Sequence, residues 1–185
     1  MTVGGDGAKM QPMNPSAAPG SPVLTGLAPI VGPCTAVLIL GSFPGVKSLE
    51  RQQYYAHPQN QFWKILQALW PDPPLPTGAD SYRARCDWLL DRGLGVWDVY
   101  GACEREGSLD TAIRSAVVND IAGLQLPKLA AIAHNGGESF KHARHTRTLG
   151  VPVYSLPSTS PANASWSFER KLAAWREVFV AHHLL

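Results

Sequence analysis

Gly41-Ser42-Phe43-Pro44-Gly45 and Leu156-Pro157-Ser158-Thr159-Ser160-Pro161-Ala162-Asn163 carry the residue types best suited to chemistry in this chain. Each directly follows a run that reads as a buried strand, Ala36–Leu40 and Val151–Ser155. In an open α/β sheet, loops leaving the carboxyl ends of strands line the ligand crevice. Small residues and prolines there favour a backbone-lined slot, with amides and hydroxyls facing whatever enters. A third segment, Tyr54-Tyr55-Ala56-His57-Pro58-Gln59-Asn60-Gln61-Phe62-Trp63, gathers aromatics, a histidine and an amide just before a helix. On one reading Tyr54 and Tyr55 pack on that helix and Asn60 caps it. On the other, an aromatic ring stacks on a flat ligand while amides read its edge. His57 is either an acid or electrostatic partner near neutral pH or a structural hydrogen-bonding residue at the helix entrance.

The elements that must position these groups can be read from periodicity. Apolar residues at 62, 65, 66, 69 and 70 form a helical stripe with Asn60 as its N-cap, stopped by Pro71, Pro73, Pro74 and Pro76. A second helix opens at Asp80 or Ser81, runs through Tyr82, Cys86, Leu89 and Leu90, and ends at Gly93. Gly95–Tyr100 reads as a strand, Gly101–Asp110 as a polar loop, and 111–116 and 119–125 as short helical pieces. Leu129–Ala133 is a further strand, Gly136–Thr148 a helix, and Phe168, Leu172, Trp175 and Phe179 mark a final amphipathic helix. Short strands alternating with helices predict an α/β protein, a three-layer α/β/α sandwich around a short, mainly parallel sheet. Residues 1–33 are rich in Gly, Pro, Ala and Ser without hydrophobic periodicity. They read as a flexible extension ahead of one catalytic domain over 34–185.

Composition narrows the function. With 185 residues, 45% of them hydrophobic, the chain suits one domain with a substantial core. A net charge of +2 allows a local nucleic-acid patch but not a general polycation. Nothing approaches the ~18 apolar residues needed to span a bilayer, and the start lacks the apolar segment of a secretory signal. The 3 cysteines, Cys34, Cys86 and Cys103, are far apart and fit neither a disulfide framework nor a zinc site. A cytoplasmic, bacterial-type protein with no metal and no cofactor is expected. No Gly-x-Ser-x-Gly elbow surrounds Ser158, and no Gly-Lys-Ser/Thr loop would hold a nucleoside triphosphate. The run Lys141–Arg147 either meets phosphates or is a solvated helix face.

Taken in order, Gly41–Gly45, Ala56–Trp63 and Leu156–Ser160 resemble the first and last motifs of the uracil-DNA glycosylase superfamily. Mismatch-specific members carry Gly-Ile-Asn-Pro-Gly, a His-Pro-x-Asn-x-Phe-Trp stretch at the same spacing, and a final Pro-Ser loop. Ser42, the Trp97-Asp98-Val99 strand, Gly107-Ser108-Leu109-Asp110 and the Leu156–Asn163 loop are most similar to the hypoxanthine-DNA (deoxyinosine) glycosylase branch. The resemblance spans about 36–180, nearly the whole expected domain.

It implies a base-excision enzyme that swings one deaminated base out of duplex DNA. In this reading Gly41, Ser42, Phe43, Pro44 and Gly45 line the sugar and base, and Tyr55 stacks on the flipped base. Asn60 is the catalytic group nearest the glycosidic bond, with His57 beside it. Asn135 reads a base edge together with Ser158, while Ser158, Thr159, Ser160 and Asn163 meet the DNA backbone and the gap left in the stack. The implied partner is damaged double-stranded DNA met by a monomer, without nucleoside triphosphates.

Phe43 stands where mismatch-specific relatives carry an asparagine, and Leu156 where the most active uracil enzymes carry a histidine. A phenyl ring cannot polarise water, which moves the expectation to Asn60 as water-orienting group and to hypoxanthine over uracil. No lysine matches an imine-forming motif, so hydrolysis leaving an abasic site is expected. The alternatives left open are a uracil or mismatch-specific glycosylase, a catalytically weak relative that binds damaged DNA, and a nucleoside hydrolase of the same fold.

Overall fold

The structure is a computed structural model describing residues 22–78 and 80–185. In chain order the elements are β1 (Val23–Thr25), β2 (Val37–Gly41), α1 (Val46–Arg51), α2 (Phe62–Leu69), α3 (Tyr82–Leu90), β3 (Leu94–Asp98), β4 (Tyr100–Glu104), β5 (Arg114–Val118), β6 (Ala131–Asn135), α4 (Gly137–Phe140), α5 (Ala143–Thr146), β7 (Val153–Leu156) and α6 (Phe168–Ala181).

The centre is a four-stranded parallel sheet in the order β3-β2-β6-β7. β2 is buried along its whole length, as its unbroken apolar run requires of a parallel strand covered on both faces. Its side chains alternate between two cores. Val37 and Ile39 face a cluster with Phe62, Ile65, Leu66, Trp175 and Phe179, the contribution of α2 and α6. Leu38 and Leu40 face a second cluster with Phe43, Val99, Tyr100, Cys103 and Ile132. Gly41 pairs with Asp98, and Asn135 with Leu156, so the carboxyl ends of all four strands finish together.

Helix α2 ends at Leu69 because Pro71 follows closely, and Trp70 before it leaves the helical region with a ψ of 80°. Asn60 lies one residue ahead of the helix's cap position, which is Gln61, so the expected N-cap is displaced. Its Oδ1 still accepts the Phe62 N–H at 3.0 Å.

Three expectations change. The segment read as a polar loop and helical pieces holds two strands of a second, antiparallel sheet in the order β1-β4-β5. Only Tyr100 and Cys103 of β4 are buried, and all of β5 is exposed, so backbone pairing rather than an apolar pattern makes these strands. The expected helix over 136–148 bends into α4, α5 and a 3-10 turn at Arg147–Leu149. It wraps around the buried His134 ring, which meets Ser139 Oγ at 2.7 Å and Thr146 Oγ1 at 2.9 Å. Residues 22–33, expected in the extension, are fastened to the domain. β1 pairs with β4, Ile30 bridges Val96, and Leu27 O accepts from Tyr54 Oη and Trp97 Nε1. Residues 1–21 of that extension lie outside the described residues.

Candidate active site

At the carboxyl end of the parallel sheet the first and last loops face one another across a cavity of about 410 Å³. That lies within the ~300–1,000 Å³ of small-molecule sites. Gly41–Gly45, Tyr55, His57, Asn60, Asp98, Asp110, Asn135 and Ser158–Asn163 all line it.

The first loop leaves β2 where the backbone passes close to Asp98. A Cβ on Gly41 would lie 2.3 Å from Asp98 Oδ1, so only glycine fits. The Phe43 ring turns away into the second core, 6% exposed, with the Arg105 guanidinium 4.9 Å above it. Three side chains from the segment after β4 hold the loop's polar side. Arg105 donates to Pro44 O, Ser42 Oγ donates to Asp110 Oδ1 at 2.6 Å, and Val46 N donates to Ser108 Oγ at 2.9 Å.

The second wall is aromatic. Tyr55 adopts a positive φ of 55°, and its ring stacks on Phe62 with centroids 3.9 Å apart. Its hydroxyl is buried without a hydrogen-bond partner, and burial pushes its pKa up, so it stays a donor. Tyr54 instead belongs to the core, donating its hydroxyl to Leu27 O. His57 is exposed, and its Nδ1 accepts the Gln59 N–H at 3.2 Å, the structural role open to it.

The final loop is tied down from several sides. Asn135 Nδ2 donates to Thr159 Oγ1 at 3.0 Å while Thr159 N donates to Asn135 Oδ1 at 2.9 Å. Gln61 N donates to Thr159 O at 3.0 Å. Asn163 Nδ2 donates to Ser158 O, and the buried Lys171 of α6 donates to Asn163 O at 2.9 Å.

Between the walls sits Asp98, 4% exposed and with Oδ2 unpartnered. Burial, and then the negative charge of Asp110, push its carboxyl up to about 8, with Arg105 pulling the other way. Near neutral pH Asp98 is therefore a carboxylic acid, able to donate as well as accept. Two buried groups, the Tyr55 hydroxyl and the Asp98 carboxyl, thus lie without a partner against Gly41 in the wall of the slot.

The profile of the Uracil DNA glycosylase superfamily matches residues 29–179. The chain belongs to the uracil DNA glycosylase superfamily. Within it, the chain is 34% identical over 160 residues to the hypoxanthine DNA glycosylase of Methanosarcina barkeri (strain Fusaro / DSM 804), covering 83% of this chain and 96% of that one. It is 35% identical over 147 residues to the protein of the same name from Methanosarcina acetivorans, covering 78% and 90%. A solution NMR structure from Methanosarcina acetivorans, provisionally assigned as a uracil DNA glycosylase, superposes with a TM-score of 0.76 at 35% identity, covering 88% of this chain and 98% of that chain.

Set in this superfamily fold, the residues singled out by sequence all reach the slot, yet two are already engaged. Asn135 gives one N–H and one lone pair of its amide to Thr159, so it fastens the final loop to β6. Thr159 is 0% exposed and is withdrawn from any DNA backbone. The exposed or half-exposed Ser160, Pro161, Ala162 and Asn163 remain as the outward face. Sequence reasoning missed Asp98, Arg105, Ser108 and Asp110 as site residues. A lone acid closing the apolar run of β3 at the crevice end was a usable signal for Asp98. Arg105, Ser108 and Asp110 lie in a segment without periodicity. Lys47 also lines the slot, paired with Glu50 at 2.8 Å and half exposed. Among the described residues no group of His, Cys, Asp and Glu is placed to hold a metal, and no helix is long and apolar enough to cross a membrane.

Proposed function

We propose that this protein is a monofunctional DNA glycosylase that hydrolyses the N-glycosidic bond of a flipped deaminated base, hypoxanthine foremost, and leaves an abasic site. The observation that carries this reading is the slot itself. A stacked aromatic wall, a backbone-lined loop and two buried, unsatisfied donors converge where the strands end. The relatives named as hypoxanthine DNA glycosylases, matched over most of the chain, supply the base.

Extruding a nucleotide costs a few kcal/mol, least for a mispaired base; glycosylases are the general example of this principle. Hypoxanthine opposite thymine pairs poorly, which aids its selection from duplex DNA. Inside the slot Tyr55 offers a ring face to the heterocycle. As the bond to the sugar breaks, negative charge gathers on the base and positive charge on the sugar. The Asp98 carboxyl, protonated and buried with the Tyr55 hydroxyl against Gly41, leaves that wall of the slot without negative charge, which favours a charged leaving group. Asn60 orients water at the glycosidic bond by hydrogen bonding, since a neutral amide takes up no proton. One lone pair of its Oδ1 is held by Phe62 N–H, which fixes the amide's direction. The enzyme works as a monomer. Its Lys47 is paired with Glu50 and forms no imine with the sugar.

The test is a panel of duplex oligonucleotides with one hypoxanthine, uracil or xanthine each, cleaved by alkali at abasic sites. Hypoxanthine is expected to be released fastest, with strand breaks only after alkali and no borohydride-trapped adduct. Asn60→Ala should lose excision by about 10²-fold or more while binding duplex as the wild type does. Uracil release exceeding hypoxanthine would install the uracil-specific reading. No abasic site on any oligonucleotide would leave a DNA-binding protein.

A further inference from the structure

We propose that Asp110, held by Ser42, is a catalytic residue that accepts the proton of the attacking water and faces the sugar as it becomes positive. The proposal rests on the glycosylase reading and supplies what that reading lacks. Phe43 occupies the place in the first motif where a polar group would meet the water, and its ring is buried in the second core. Asn60 can hold a water molecule but cannot carry its proton away.

Two carboxyl groups line the slot, and their surroundings divide the work between them. Asp98 lies deep, with an unpartnered oxygen, and keeps its proton. Asp110 lies at the rim, where Ser42 Oγ donates to its Oδ1 at 2.6 Å and its second oxygen is free. Burial, helped by Glu138 of α4, raises its pKa on balance, while the Ser42 hydrogen bond, Arg105 from the end of β4 and Lys141 beside α4 pull it back. Exposed at the rim with one oxygen unengaged, Asp110 is the carboxyl of the pair that a water molecule can reach.

A carboxylate there does two things. It accepts a hydrogen bond from water held by Asn60, and its charge favours the positive sugar. In the step itself a water lone pair forms the new C1′–O bond. The C1′–N bond breaks, and its electron pair leaves on the base. The water proton passes to Asp110 and on to solvent, and the released base anion takes a proton from solvent. The Ser42 hydrogen bond serves as the rein that keeps the carboxylate turned toward the loop.

Single-turnover excision from hypoxanthine duplex, measured from pH 5 to 8 alongside duplex affinity and thermal melting, tests this. Asp110→Asn should slow excision by about 10²–10⁴-fold, with affinity and melting unchanged, and should abolish the acidic limb of the profile. Ser42→Ala removes a hydrogen bond that lowers the Asp110 pKa, so its acidic limb should move to higher pH. A purely structural contact would leave that limb in place. If the wild type excises hypoxanthine but Asp110→Asn stays within about tenfold of it, or keeps the acidic limb, the proposal is overturned and the glycosylase reading stands. A wild type that excises no deaminated base overturns both.

Discussion

The parallel sheet and the antiparallel sheet meet at the same slot but hold it in different ways. β2, β3, β6 and β7 bring Gly41, Asp98, Asn135 and Leu156 to one level because register and burial leave them no other arrangement. β4 and the segment after it reach over with Arg105, Ser108 and Asp110, whose hydrogen bonds grip the outside of a loop the first sheet has already launched. The first sheet fixes where the walls stand, and the second sets their charge and angle. Changes on the parallel side should cost fold and rate together. Changes on the antiparallel side should cost rate more than fold.

The largest effect is expected from Gly41→Ala. Its Cβ would meet the Asp98 carboxyl at 2.3 Å, displacing either the loop or the acid. A shift of this kind costs about 10²-fold in excision, with a clear drop in melting temperature. An unchanged melt with lost activity would show the parallel side to be less rigid than argued.

Asp98→Asn should sharpen the comparison through pH. The folded carboxyl titrates near 8, against about 4 for the unfolded chain. Between these values the folded state holds a proton that the unfolded state releases, so wild-type stability falls as pH rises from about 4 to about 8. The amide carries no such penalty. The variant should melt above the wild type at pH 8, and the gap should close toward pH 4. Parallel melting curves at all pH values would mean that Asp98 is not desolvated.

Ser108→Ala is the smallest change and the cleanest probe of the antiparallel side. It removes an exposed hydrogen bond to Val46 N, worth about 0.5–1.5 kcal/mol. Excision should fall a few-fold while the melting temperature stays within a few degrees. A large loss of stability would place this segment in the fold's foundation.

The same division explains what could be read from residues alone. β2 is an unbroken apolar run, and α2 carries its stripe at 62, 65, 66 and 69, so burial wrote both into the sequence. The meeting of the two loops followed from the strand ends beneath them. β4 and β5 left no such trace, because Gly101, Ala102 and the exposed 114–118 stretch are held by backbone pairing that any side chain permits. Asn135 and Thr159 both line the slot, where they also bond each other. Residue type told of polar groups at the slot, while only coordinates told that these two satisfy each other.

Thr159 has a consequence for the slot as a whole. Its carbonyl is joined to Gln61 and its amide and hydroxyl to Asn135, so one late residue fastens pieces laid down far earlier. A chain still emerging from the ribosome, or clipped ahead of this point, would have its sheet begun and its pocket open on one side. Thr159 is thus a single clasp between the entrance of α2, the end of β6 and the final loop, and loosening it would free all three together.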